Sequence, residues 1–221
     1  MITIFGSCRQ DTLKDNYHIT SIKEKLTYPH YTKEIIQAIE YCKGISNISL
    51  EDSRHCFRSG ILNNNIISHE QFLDEYNKTD IFVIEIASRI SYKYNSLYVH
   101  HIAKDHSYTG IDINNIEVRD LTDFEIESDL LEIKRLLCPK PFLVVSHIST
   151  RSSGKRYELI CLLDTLCKKH NIVFYNPSTL LETYSEDDLF EKENVLSHYS
   201  LFGKTVISNV YKEIIDKMII Y

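Results

Sequence analysis

The sequence has 221 residues, of which 43% are hydrophobic, so it is long enough for one large domain with a substantial core. Its formal net charge of −6, without a basic arm, argues against nucleic acid as a partner, because phosphate binding requires clustered Lys and Arg. No apolar run approaches the ~20 residues of a membrane span, and no signal peptide precedes the first strand. We therefore expect a cytoplasmic protein without a membrane span. The six cysteines lack metal-type spacing, which predicts free thiols.

The N-terminal stretch MITIFGSCRQDT combines an apolar strand with a turn that carries two nucleophile-type side chains. Residues 1–5 are apolar or β-branched, Gly6 permits a tight turn, and Ser7 and Cys8 follow it directly. The carboxyl ends of strands are where open α/β sheets bind ligands, and the N–H groups that begin the next helix can hold an anion. The pattern predicts a catalytic turn. An edge strand that runs into a loop is the alternative interpretation.

The rest of the chain alternates between helices and apolar strands. Periodicity predicts helices over residues 32–42, 68–76, 123–137, 154–170 and 204–220, and strands over residues 80–86, 142–146 and 172–175. Residues 91–122, rich in Tyr and His, lack a regular pattern, so we expect an irregular excursion that covers the site or contacts an acceptor. The alternation predicts a three-layer α/β/α sandwich with a central parallel sheet, in a single domain over residues 1–221.

Three histidines of this excursion, His100, His101 and His106, raise the question of a metal site. On a helix or a strand, two adjacent side chains point in different directions, so His100 and His101 cannot both face one ion. We therefore expect no metal ion at these residues, and no tightly bound cofactor elsewhere in the chain.

Polar side chains follow the predicted strands, at the edge where an α/β site would lie. Glu85, Ser88 and Arg89 stand at the end of the second strand, and His147 follows the third. Three basic residues near the start of the next helix could hold phosphates of a carrier, or could simply form a solvated helix start. They are Arg151, Lys155 and Arg156.

The stretch SHYSLFGK, residues 197–204, places His198 in a loop just before the last helix. In three features the chain resembles the SGNH/GDSL superfamily. They are FGSC at residues 5–8, the apolar middle strand that ends in polar residues, and this H-x-S-x-x-G pattern. That family has an α/β flavodoxin-like fold and contains hydrolases and acyltransferases. In this resemblance Gly6 and Ser7 match the family's Gly and Asp, and Cys8 matches its nucleophile. A Cys there is similar to the GSCFA and WcbI-type branch, which implies a capsule-polysaccharide acetyltransferase with coenzyme A as acyl carrier.

The chain departs from the superfamily at the position of the acid, three residues before the His. Val195 stands there, so Glu193 or Asp188 would supply the acid, or it is absent. A Cys nucleophile tolerates the absence, because a thiol pKa of ~8.5 is readily lowered at a helix N-terminus or beside a protonated His.

The oxyanion donors of the superfamily also lack clean matches. Gly60 is the best candidate for the family's Gly block, and Ser88 or Arg89 stands where its Asn block would be. Arg9 and Arg58 are further candidates for binding substrate.

The resemblance implies that Cys8 attacks the thioester of acetyl-CoA, with His198 as the general base. The acetyl group then passes to a hydroxyl or amine of a carbohydrate acceptor during glycan or polysaccharide biosynthesis. Ser7 is the rival nucleophile, and His147 is a secondary candidate for the base or for acceptor binding. A carbohydrate esterase or deacetylase, and a non-catalytic glycan-binding module, stay open as alternative functions. The sequence leaves the oligomeric state open.

Overall fold

The apolar strands predicted from the sequence form one parallel sheet in the computed structural model, which describes residues 1–105, 108–191 and 198–220. The strands are, in chain order, β1 (Ile2–Phe5), β2 (Ile81–Ile86), β3 (Ile90–Tyr94), β4 (Leu97–Tyr98), β5 (Ile116–Asp120), β6 (Phe142–Ser146) and β7 (Val173–Tyr175). The central sheet has the order β1-β2-β6-β7, and every neighbouring pair is parallel. The carboxyl ends of its strands therefore meet at one edge.

Helices connect these strands. They are α1 (Ile22–Lys25), α2 (Thr32–Cys42), α3 (Leu50–Cys56), α4 (Arg58–Asn63), α5 (Glu70–Lys78), α6 (Ile102–Asp105), α7 (Asp123–Leu137), α8 (Lys155–Lys169), α9 (Glu186–Leu189) and α10 (Leu201–Ile220). Within the described residues, 3-10 helices span Cys8–Asp15, Ile113–Asn115 and Pro177–Glu182. α2 and α7 have the predicted bounds, whereas α5 begins two residues later and α10 three residues earlier than predicted.

Side chains of the central strands alternate between two hydrophobic cores, one on each face of the sheet. Phe82 and Ile84 of β2 belong to a core shared with α2, α5, α7 and α8. Ile81 and Val83 belong to a second core that includes α10. This alternation arises because successive side chains of a strand point to opposite faces. The result is a mixed α/β fold with helices on both faces, as predicted. The SGNH or flavodoxin-like subtype stays a prediction.

The outer edge of β1 carries a single additional pairing. Ile19 forms a one-residue parallel bridge to Ile2, with hydrogen bonds of 2.9 Å from Ile2 N to His18 O and from Thr20 N to Ile2 O. This bridge occupies the place of a fifth strand beside β1.

Residues 91–122, expected to be irregular, contain a small antiparallel sheet of order β4-β3-β5. Asn95 has a φ of 54° in the turn between β3 and β4. Asn tolerates this left-handed conformation, which two-residue hairpin turns require. The prediction of irregular structure is therefore wrong. Most side chains of these strands are partly or fully exposed, so the sequence carries no apolar alternation that would predict them.

Two further predictions concern the cysteines and membrane-spanning helices. All six cysteines are free thiols, as predicted. Over the described ranges, no helix has both the length and the apolar character needed to cross a membrane.

Candidate active site

The turn after β1 is shaped by a close approach between β1 and β2. A Cβ atom on Gly6 would lie only 2.6 Å from Glu85 Cβ, so this position requires glycine. Ser7 follows as the N-cap of the 3-10 helix, and its Oγ accepts a hydrogen bond from Arg9 N at 3.4 Å. Cys8 is the first residue of that helix and is exposed. The N–H group of a first helical residue has no acceptor within the helix, so it can bind an anion.

The Cys8 thiol contacts the imidazole of His198, a residue 190 positions further along the chain. The distance from Cys8 Sγ to His198 Nε2 is 3.7 Å, within hydrogen-bonding range for sulfur. Backbone pairing holds His198 there, since Glu191 N donates to His198 O at 3.0 Å and Phe190 forms an antiparallel bridge with Tyr199. A thiol and an imidazole in this arrangement can exchange a proton, which is what activates a cysteine nucleophile.

A second histidine, His147, forms a buried pair with Glu85 beneath the turn. His147 Nδ1 and Glu85 Oε1 are 2.7 Å apart, and the other carboxyl oxygen accepts a hydrogen bond from Ser7 N at 2.7 Å. Burial by itself raises the pKa of Glu85, but the contacts with His147 and Ser7 outweigh it and lower the pKa to about 2. Glu85 is therefore a carboxylate that fixes both the turn and the His147 ring.

The polar end of β2 predicts Glu85 near the site, but its role as partner of Ser7 and His147 is visible only in the structure. Glu85 is the one acidic residue inside the otherwise apolar strand IFVIEI, and it is fully buried. A lone carboxylate in a buried strand was the available signal, because an ionised group is not buried without hydrogen-bonding partners.

The two histidines and the cysteine line one cleft at the carboxyl edge of the sheet, with a volume of about 580 Å³. Predicted residues that also line this cleft are Ser7, Arg9, Ser88, Arg89, Lys155 and Arg156. A smaller cavity of about 250 Å³ lies next to it, and Cys8, Arg9 and His198 line both. The Cys8–His198 pair thus stands between two binding spaces.

One wall of the cleft is positively charged. Arg89 donates from Nε to Leu121 O at 3.2 Å and forms an ion pair with Asp123, while the exposed Lys155 pairs with Asp120 at 2.6 Å. Desolvation and the neighbouring charge of Arg9 lower the pKa of Arg156, which nevertheless stays charged because guanidinium pKa values lie far above neutral. Arg89 and Lys155 thus already have carboxylate partners.

The backbone N–H of Ser88 already has a hydrogen-bond acceptor. The N–H groups of Ala87 and Ser88 both donate to His30 O at 2.9 Å, and Ser88 Oγ accepts from Ile90 N at 2.9 Å. Among the predicted oxyanion donors, Cys8, Ser88 and Arg89 all line the cleft.

Of four other predicted residues, three lie away from the cleft wall and one lies outside the described residues. Gly60 lies within α4, where a Cβ would be 2.5 Å from Arg54 Cα, so its small size serves helix packing rather than an oxyanion. Arg58 stacks its guanidinium over the ring of Tyr28 at 4.4 Å, behind the cleft. Arg151 is exposed and does not line the cleft. Glu193 lies outside the described residues.

Asp188, the other candidate acid, is used elsewhere. Its Oδ2 accepts from the Ser185 hydroxyl at 2.7 Å in the capping box of α9. Among the described residues, Glu85 is an acid that contacts a histidine of the cleft, and that histidine is His147 rather than His198.

Fold and site together describe an α/β protein with a cysteine–histidine pair at the carboxyl edge of a parallel sheet. A family model described as the TviD N-terminal domain matches residues 1–109, which include Cys8 and Glu85. The Vi polysaccharide biosynthesis protein TviD of Salmonella typhi is 22% identical over 269 residues, covering 97% of this chain and 31% of that protein. The chain thus spans about a third of the length of this curated relative. None of the solved structures matches the chain.

Proposed function

We propose that this protein is a cysteine-dependent acyltransferase that moves an acetyl group from coenzyme A to a carbohydrate hydroxyl or amine. The observation that carries the proposal is the 3.7 Å contact between Cys8 Sγ and His198 Nε2 at the junction of two cavities. The name of the relative, a Vi polysaccharide biosynthesis protein, supports polysaccharide biosynthesis as the setting.

The proposed reaction has two steps, each with its own proton transfer. His198 Nε2 takes the thiol proton, and Cys8 Sγ attacks the thioester carbonyl carbon. The oxyanion accepts hydrogen bonds from the Cys8 N–H and the Arg89 side chain. The bond to the coenzyme A sulfur then breaks, and His198 returns the proton to that sulfur.

In the second step the acceptor attacks the acetyl-cysteine thioester. His198 removes the proton from the acceptor hydroxyl or amine as the new bond forms, and then returns a proton to the departing Cys8 sulfur. The first step exchanges one thioester for another, so it is nearly balanced in free energy. The second step forms an ester or an amide and regenerates the enzyme.

The environment of Ser7 favours Cys8 as the nucleophile. Ser7 is 6% exposed, its hydroxyl caps the 3-10 helix, and its N–H is bound to Glu85. Cys8 is exposed beside His198. In the proposal, Glu85 and His147 position the turn, while Arg9, Lys155 and Arg156 attract the phosphates of the carrier.

Intact-mass spectrometry with acetyl-CoA tests the proposal. We expect a single acetyl adduct on the parent and on Ser7→Ala, no adduct on Cys8→Ala, and loss of the adduct when a carbohydrate acceptor is added. An adduct that persists in Cys8→Ala but disappears in Ser7→Ala would assign the chemistry to Ser7. Absence of an adduct in all three proteins would contradict a covalent mechanism.

A carbohydrate esterase is a second candidate, and the His147–Glu85 pair favours it. An imidazole oriented by a buried carboxylate is a second general base in the same cleft, able to activate water. In that case the acyl adduct would decay in buffer without an acceptor, and His147→Gln would slow the decay. A non-catalytic glycan-binding module would bind glycan equally well after replacement of both Cys8 and His198.

A further inference from the structure

We propose that His30, His100 and His101 form a binding site for one divalent transition-metal ion, of the zinc class, in the wall of the cleft. One ring nitrogen from each of the three histidines lies within 4.8 Å of the others. This cluster is distinct from the Cys8–His198 pair, and no step of the proposed acetyl transfer uses it.

The three residues come from two segments that the fold brings together. His30 lies in the connection between α1 and α2, and His100 and His101 lie in the connection between β4 and α6. The ring centroids of His30 and His101 are 4.6 Å apart, and those of His100 and His101 are 4.5 Å apart. On a helix or a strand, the adjacent His100 and His101 could not both face one ion. These adjacent residues instead occupy a non-helical connection, where both rings turn to the same side.

The donor set and the spacing fit a zinc-like ion. Zinc–imidazole bonds of about 2.0–2.1 Å in a tetrahedral site place the ligand nitrogens about 3.3 Å apart. Side-chain rotation closes the remaining ~1.5 Å from the present spacing without moving a strand or a helix. Three imidazoles with one open position are the ligand set of catalytic zinc sites, and imidazole also suits copper, nickel and iron.

Hydrogen bonds behind two of the rings orient them as ligands. His101 Nδ1 contacts Asp105 Oδ2 at 2.5 Å, which leaves Nε2 for the ion. His100 Nε2 donates to Tyr28 O at 3.0 Å, which leaves Nδ1, now the acceptor of a long 3.3 Å bond from Ile102 N. A carboxylate or a backbone carbonyl on the far nitrogen is the usual outer shell of metal-bound histidine.

The location gives the ion access to the cleft. His30 lines the same cleft as Cys8 and His198, and Tyr28, whose carbonyl orients His100, lines it too. An ion held by His30 would have its open position available to an oxygen atom of a ligand bound there.

Cobalt(II) titration of the metal-free 221-residue chain tests this proposal, because the visible bands of cobalt report coordination directly. The titration is done in the Cys8→Ala background, which removes the Cys8–His198 pair as a competing site and makes the result independent of acetyl transfer. We expect one equivalent to bind, with bands typical of tetrahedral nitrogen and oxygen ligands, and zinc to displace it.

Matched variants assign the site. His101→Ala, at a partly exposed ligand, should weaken binding at least tenfold, and Asp105→Asn should weaken it about 10–100-fold through the lost outer-shell contact. His18→Ala, at an exposed histidine outside the cluster, should leave binding unchanged. Thermal unfolding of the metal-free variants checks that they fold. Equal binding in the parent background, His101→Ala and His18→Ala, or no stoichiometric binding at all, would overturn the proposal.

Discussion

Two histidines reach the same cleft and are held in opposite ways. His147 extends from the end of β6, is 7% exposed, and contacts a fully buried carboxylate at 2.7 Å. His198 comes from the segment before α10, is only partly buried, and contacts an exposed thiol at 3.7 Å. One pair is part of the sheet's interior, and the other lies where substrates can reach it.

This difference suits the Glu85–His147 pair to positioning other groups and the Cys8–His198 pair to proton transfer. A buried carboxylate loses its hydration, so Glu85 stays ionised only because Ser7 N–H and His147 replace the lost water. The ionised Glu85 thereby holds the turn and the His147 ring in place. A thiol and an imidazole at the surface can pass a proton back and forth, as the proposed acyl transfer requires.

The largest expected effect comes from His198→Ala. Loss of a general base should slow formation of acetyl-Cys8 by about 10²–10⁴-fold while the free energy of unfolding stays within ~0.5 kcal/mol of the parent. Time-resolved intact-mass spectrometry and denaturant unfolding measure the two quantities. His147→Gln is the matched variant. If it slows acylation more than His198→Ala does, the roles assigned to the two histidines are reversed.

Glu85→Ala should chiefly affect stability. It leaves the Ser7 N–H and the His147 ring without their acceptor, and breaking a buried pair of this kind costs about 3–5 kcal/mol. Glu85→Gln keeps an acceptor oxygen and should cost clearly less. Urea unfolding compares the three proteins, and a cost below ~1 kcal/mol for Glu85→Ala would show that the pair does not hold the turn.

The same carboxylate predicts a pH dependence. Its folded pKa of about 2 lies below the unfolded value of 4.5, so its contribution to stability is complete above pH 4.5 and is lost as the pH falls toward 2. Because other carboxylates titrate in this window, the relevant measurement is the difference between the parent and Glu85→Gln. That difference should shrink as the pH falls from 4.5 to 2, and a constant difference would contradict the pKa.

Gly6→Ala should have an intermediate effect on both the free energy of unfolding and the rate of acylation. The added Cβ would meet Glu85 Cβ at 2.6 Å, so the strands must separate locally, at a cost of about 1–3 kcal/mol. We also expect slower acylation, since the turn that carries Cys8 would move. An unchanged melting temperature together with an unchanged acylation rate would show that the turn tolerates this displacement.

The smallest effect is expected for Lys155→Ala on the charged wall. Removing one exposed charge should raise KM for acetyl-CoA about twofold to fivefold, which corresponds to ~0.5–1 kcal/mol, with kcat unchanged. Lys168→Ala is the control, because Lys168 lies on the same helix with an equivalent ion pair to Asp164 and does not line the cleft. Equal KM values in the two variants would argue against carrier binding at Lys155.

Local patterns were sufficient for much of the fold. α2 and α7 begin and end where apolar periodicity predicts, and the strands around Val83 and Val144 were recognisable because both of their faces are buried. The antiparallel sheet of residues 90–120 was missed because its exposed strands lack that signal.

The turn that carries Cys8 could be predicted from residues 1–8 alone, since strand, glycine and cysteine are neighbours and their order is a local property. The groups that surround this turn come from distant parts of the chain, and only the folded structure brings them together. Glu85 meets His147 across 62 positions, Cys8 meets His198 across 190, and His30 joins His100 and His101 from a separate segment. Gly60 lies inside α4, packed against Arg54. The physical reason is that such encounters depend on which strands pair and how the connections pack, and packing is a property of the whole chain rather than of any stretch within it.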